Sequence, residues 1–163
     1  MSPMRIIADL HIHSKYSRAV SRDMTPENLD IWAQKKGITV IGTGDFTHPR
    51  WLEELKEKLE PAEQGLYRLK SVPNLAWDIS TRFLLTVEIA VIYSKGGKVR
   101  RIHHLVFAPS FAAVDKINKK LSKIGNLTAD GRPILGFDSK ELLKIVKDAD
   151  SQAVLVPAHA WTP

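Results

Sequence analysis

Apolar residues in this chain fall into two rhythms: short β-branched runs, and longer stretches with a helical period. Residues 4–8 form a short apolar run in which Ile6, Ile7 and Ala8 suit a buried strand. Thr25-Pro26-Glu27 reads as the N-cap, first-position proline and first-turn acid of a helix. Leu29, Trp32 and Ala33 make its apolar face, and Lys36-Gly37 is its stop. A second short strand follows at residues 38–41. A strand, a helix and a strand in this order predict a βαβ unit with parallel pairing. Residues 51–59 have a helical period, with Trp51, Leu52, Leu55 and Leu59 on one side. Residues 60–82, with Pro61, Gly65 and Pro73, are expected to be mostly irregular, with a short strand near 67–69.

The next segment, 83–94, is strongly strand-like, and Lys95-Gly96-Gly97-Lys98 has hairpin-turn chemistry, with 99–107 as the returning strand. Residues 111–124 form an amphipathic helix with Val114, Ile117, Leu121 and Ile124 turned inward. A loop spans 125–136. Asp138-Ser139-Lys140-Glu141 opens a further helix as a capping box and runs to about Ala149. A final parallel-type strand is expected at 153–156. The pattern predicts the α/β class.

Polar residues with metal-binding chemistry sit where these strands end. In a strand, residues two apart share a face, so His11 and His13 point the same way, with Asp9 in that row. Their Cα atoms would lie about 7 Å apart, close enough for two imidazoles to converge on one ion. The second strand runs into Gly42-Thr43-Gly44-Asp45-Phe46-Thr47-His48, which places Asp45 and His48 at a strand's carboxyl end. Sites in parallel α/β folds are built at that end. Glu88 lies inside an apolar strand, which is costly unless it binds a metal or pairs, for example with Arg100 or Arg101. His103 and His104 are neighbours in the returning strand, so only one can face such a cluster; parity along the strand leaves open which. His159 follows the last strand. Histidine nitrogen and carboxylate oxygen suit zinc or manganese. A shared carboxylate and clustered ions suit phosphoester hydrolysis.

Composition narrows the classes. The chain has 163 residues, enough for one domain with a core, and a hydrophobic fraction of 44%. It has no apolar run near the length of a membrane span and no signal-peptide pattern at its start, so a cytoplasmic protein is expected. It has no cysteine, which excludes disulfides and thiolate metal sites. The net charge of +6 and pI near 9.6 fit an anionic partner, DNA in particular. Lys116, Lys119, Lys120 and Lys123 form a basic stripe at helical spacing that could follow a phosphate backbone.

Five motifs in order, Asp9-Leu10-His11-Ile12-His13-Ser14, Gly44-Asp45 with His48, Val87-Glu88-Ile89, His104-Leu105 and Pro157-Ala158-His159, resemble the polymerase-and-histidinol-phosphatase (PHP) domain. The wording of residues 42–49 and of Pro157-Ala158-His159-Ala160-Trp161-Thr162-Pro163 is most similar to the endonuclease Q group within it. The resemblance implies a distorted (β/α)7 barrel and a site of two to three metal ions. It implies that His11 and His13 bind the first metal, that Glu88 bridges the first and second, and that His104 and His159 hold the second. His103 would then lie outside the cluster, and Asp45 or His48 would serve a third ion, because Arg18 stands near the usual ligand position. The implied activity is a DNA repair endonuclease nicking 5′ of deaminated or abasic nucleotides. Alternatives are a small-molecule phosphatase of histidinol-phosphatase type and an inactive scaffold that binds DNA. The family's last motif, Asp-x-His, would lie beyond residue 163, and about five strands are expected. Both imply the N-terminal portion of a longer protein, a truncated barrel that would be inactive on its own.

Overall fold

The computed structural model describes residues 5–70 and 81–160. Parts of the expectations for residues 4–8 and 60–82, and the motif residues Trp161, Thr162 and Pro163, lie outside the described residues. The elements run β1 (Ala8–Asp9), α1 (Pro26–Lys36), β2 (Val40–Gly42), α2 (Pro49–Lys58), β3 (Leu59–Pro61), β4 (Tyr67–Leu69), β5 (Arg82–Lys95), β6 (Lys98–Ala108), α3 (Phe111–Leu121), β7 (Ile134–Leu135), α4 (Ser139–Ala149) and β8 (Val154–Pro157).

The helices begin where local chemistry starts them. Thr25 accepts from the Asn28 amide, and Gly37, at φ +69°, closes α1 in the left-handed conformation. Asp138 accepts from the Glu141 amide at 2.9 Å, satisfying an orphan donor of α4. The sheet is built on the long strand β5. It pairs parallel with β2, which pairs parallel with β1, so the βαβ unit forms. It pairs antiparallel with β6 over most of its length, from Leu85↔Ala108 to Lys95↔Lys98. Short β7 adds in parallel at Ala90 and Val91. Residues 83–91 of β5 are nearly all buried, and Phe83, Leu85, Val87, Ile89 and Val91, alternate positions on one face, belong to the hydrophobic core. Phe46, Trp51, Leu55, Phe83, Val87, Ile89 and Leu142 are among the core residues.

Several expectations change. The sheet has eight strands in the described residues and is not closed, so the fold is mixed α/β and the (β/α)7 barrel is not seen. Pieces as short as β3 and β7 carry no periodic signal of their own; pairing with β4 and β5 makes them strands. Ile6 and Ile7 are 53% and 44% exposed, because β1 lies at the edge of the sheet and pairs only with β2 among the described residues. Trp32 is not core: it is 57% exposed, with the Lys35 ammonium 4.6 Å from its ring. α3 stops at Leu121, leaving Ile124 exposed. β8 runs antiparallel to its neighbour β6, since β6 itself returns against the sheet direction. No helix among the described residues is long and apolar enough to cross a membrane.

Candidate metal centre

Glu88 is the centre of the site. It sits on β5 just past the last pairing with β2, Gly42↔Leu84, and is 1% exposed. A buried carboxylate needs partners. Its Oε2 lies 3.4 Å from His11 Nε2 and 3.1 Å from His13 Nε2, and its Oε1 lies 2.5 Å from His103 Nδ1. Arg132 Nη1 donates to Oε2 at 3.4 Å, so neither Arg100 nor Arg101 is the arginine that reaches Glu88. His159 completes the group from the end of β8. Its ring stacks on His11 at 5.2 Å and meets His103 edge-on at 5.5 Å. One nitrogen or oxygen from each of His11, His13 and Glu88 lie within 4.8 Å of one another, and the same holds for Glu88, His103 and His159. This donor set is the histidine-and-carboxylate kind that zinc or manganese takes, and Glu88 belongs to both triads.

Cross-strand register decides between the paired histidines. Directly opposite residues share a face. Ala90 faces His103 and Ile89 faces His104, so His103 lies on the Glu88 side and His104 on the other. His104 is therefore not at the cluster, contrary to the assignment carried by His104-Leu105. It is 2% exposed and its Nε2 lies 2.8 Å from Ser139 Oγ at the start of α4. Burial, then the nearby His103 charge, lower its pKa.

Asp45 does not join either triad. It is fully buried, at φ +51°, a conformation aspartate tolerates better than most residues. Its Oδ1 lies 3.1 Å from His13 Nδ1. Its Oδ2 accepts from the Ser14 amide at 2.6 Å, Ser14 Oγ at 2.7 Å and Ser17 Oγ at 2.9 Å. A carboxylate that accepts from Nδ1 keeps the proton there when the ring is neutral, so the lone pair is then on Nε2, the form a metal requires. His48 is also outside the triads. It precedes α2 and stacks on Tyr16 at 4.3 Å, and burial lowers its pKa. Two glycines allow this packing. A Cβ on Gly44, at φ +64°, would meet the Ile12 carbonyl oxygen at 2.6 Å; one on Gly131 would meet Asp45 Oδ2 at 2.3 Å.

The electrostatics follow from these contacts. Hydrogen bonds to Asp45 and then Glu88 outweigh burial and raise the pKa of His13 to about 9. Burial alone would raise that of Glu88, but hydrogen bonds from His13, His103 and His11 outweigh it and hold the carboxyl well below its usual range.

The lysine stripe lies elsewhere. Lys116, Lys119, Lys120 and Lys123 line a cavity of about 370 Å³ with Ile145, Asp148 and Ala149 of α4. α4 begins against His104, so this groove belongs to the helices on the face of β5 and β6 turned away from Glu88. Ser14, Ser17 and Arg132 are site residues that sequence reasoning missed; His103 was one of two neighbouring candidates, and the resemblance pointed to the other. Only Ser14 had a signal, as the last residue of the His11 motif.

Comparison with known proteins fits this geometry. A lesion-specific endonuclease of Pyrococcus furiosus, PfuEndoQ, matches at 33% identity over 97% of this chain with a TM-score of 0.79. The chain is PHP-like and related to endonuclease Q. Endonuclease Q in complex with a 27-mer duplex bearing an abasic lesion at its active site gives 33% identity and a TM-score of 0.78. This chain spans 35% of each of those two. An uncharacterized protein of Methanocaldococcus jannaschii, MJ0043, is 34% identical over 156 residues, 95% of this chain and 16% of that protein. A Bifidobacterium adolescentis protein assigned as a metal-dependent phosphoesterase shares the fold, at 18% identity and a TM-score of 0.50. No family model matches the sequence.

Proposed function

We propose that this chain forms part of a metal-dependent DNA repair endonuclease that nicks 5′ of deaminated or abasic nucleotides. In this reading it supplies the N-terminal portion of a PHP domain. The observation that carries the reading is the buried Glu88 carboxylate shared by two triads, His11 with His13 and His103 with His159. Those residues would hold two zinc or manganese ions, and the complete site up to three. Bound there, the ions supply Lewis acidity toward a phosphodiester and acidify the attacking water.

The protein's own groups do the rest. Asp45 fixes the tautomer and direction of His13 through Nδ1. Glu88 stays ionised, with its two oxygens divided between the two triads. Arg132, 41% exposed beside Glu88, offers its guanidinium to the non-bridging oxygens of the phosphate. Likeness to an endonuclease solved with abasic DNA supports a DNA substrate over a small phosphate ester.

The test is to incubate the full-length protein with duplexes carrying one abasic site, deoxyuridine or deoxyinosine, with zinc or manganese and with chelator. Metal-dependent nicking on the 5′ side of the lesion, with undamaged duplex left intact, is expected. Turnover of histidinol phosphate without nicking, or nicking that survives exhaustive chelation, would overturn the proposal.

A further inference from the structure

The β5–β6 hairpin runs well past the cluster. β7 pairs with β5 no farther than Val91, and β8 pairs with β6 from His104 to Phe107. Beyond those points, among the described residues, only two strands remain, residues 92–95 and 98–102, paired with each other. β5 runs parallel to β1 and β2, so this ribbon projects from the same carboxyl end that carries His11, His13 and Glu88. At about 3.3 Å per residue, its turn lies about 26 Å past Glu88.

The ribbon is basic. Lys95, Lys98, Arg100 and Arg101 are all exposed, and no ion pair involves them among the described residues. Lys95 stands directly opposite Lys98. Like charges in opposed positions destabilise a strand pair, so this register costs folding free energy in the isolated molecule. Gly96 and Gly97, at φ +60° and +73°, form the tight turn that sets that register. Arg101 faces Ile92, in the row that continues through His103 and Glu88, whereas Arg100 faces Tyr93 on the other side. Cations are thus presented on both faces, one of them in line with the cluster.

We propose that this ribbon grips the phosphate backbone of the DNA duplex beside the Glu88 cluster, through Lys95, Lys98, Arg100 and Arg101. It rests on the DNA-cleaving reading above for its ligand. Phosphate charge is the complement of four cations that form no ion pair among the described residues, and it relieves the Lys95–Lys98 repulsion. A two-stranded ribbon also has the dimensions that a major groove admits. The contact fixes the duplex in position without reading its sequence or its lesion.

The test separates binding from cleavage. Affinity of the full-length protein is measured by fluorescence anisotropy across a salt series, in chelator, on a duplex with one abasic site and on the same duplex undamaged. The variants are Lys98→Ala with Arg101→Ala, Lys95→Ala with Arg100→Ala, and Lys119→Ala with Lys120→Ala on the α3 stripe. All are exposed, and circular dichroism confirms the fold. Each ribbon pair is expected to reduce the slope of log K against log salt by about 1.8, as two lost phosphate contacts require, on both duplexes. Binding at 0.1 M salt should weaken about tenfold or more. Wild-type slopes in both ribbon variants, or a slope change confined to the α3 pair, would overturn the proposal even if nicking occurs. Loss of slope in a protein that never nicks would instead leave the ribbon standing and remove the endonuclease reading.

Discussion

Asp45→Asn isolates a group that orients a metal-binding histidine without being one. In the wild type, Asp45 Oδ1 faces His13 Nδ1 at 3.1 Å and Oδ2 accepts three donors from Ser14 and Ser17. Asparagine keeps one oxygen, which the three serine donors hold in place. Its amide nitrogen is then directed at His13. A donor opposite Nδ1 makes Nδ1 the acceptor and moves the proton to Nε2, the nitrogen turned toward Glu88. That tautomer does not bind a metal through Nε2. Replacing the partner of a ligating histidine weakens metal binding by roughly 10–100-fold, about 1.4–2.8 kcal/mol. Three charge-assisted bonds also become neutral, at about 1 kcal/mol each, so unfolding stability should fall by on the order of 2–3 kcal/mol. The assay is competition with a chromophoric chelator for zinc and manganese, alongside urea unfolding of the metal-free protein. The number of ions bound at saturation should not change. Affinity within twofold of the wild type would refute the tautomer argument, and loss of one whole ion would make Asp45 a direct ligand.

Two further outcomes follow from the geometry. His103→Ala should cost the protein metal at saturation. His104→Gln should leave metal content unchanged and lower stability by about 1–3 kcal/mol, because it disturbs a buried hydrogen bond to Ser139. Elemental analysis and urea unfolding of both variants check this, and the opposite pattern would restore His104 to the site. Metal binding at pH 7.5 should release about one proton from His13, whose pKa is raised to about 9, because the ion displaces that proton. The sign for stability is opposite: the His13 contribution to the metal-free fold is fully present below its ordinary pKa of 6.5 and is lost as pH rises through about 9. Calorimetry in buffers of different ionisation enthalpy measures the release, and a value near zero would refute it.

Local chemistry was legible along the chain. The Thr25 and Asp138 caps, the Gly37 stop, the Gly96-Gly97 turn and the long apolar run of β5 are each set by a few neighbouring residues, so their signals survive without tertiary context. His11, His13 and His159 were also legible as polar residues at strand ends, and Glu88 as a carboxylate inside an apolar strand. What the sequence alone left open were questions of partner. Ile6, Ile7 and Trp32 are as apolar as core residues, yet their burial depends on what covers them, and among the described residues nothing covers them fully. The short strands β3 and β7 exist only because β4 and β5 offer them hydrogen bonds. Arg132 reaches Glu88 from a loop more than forty positions away, a contact that no local pattern encodes. The choice between His103 and His104 is the clearest case. A strand's period of two states that they face opposite ways, but only the register of β6 against β5, which sets Ala90 opposite His103, decides which one meets Glu88.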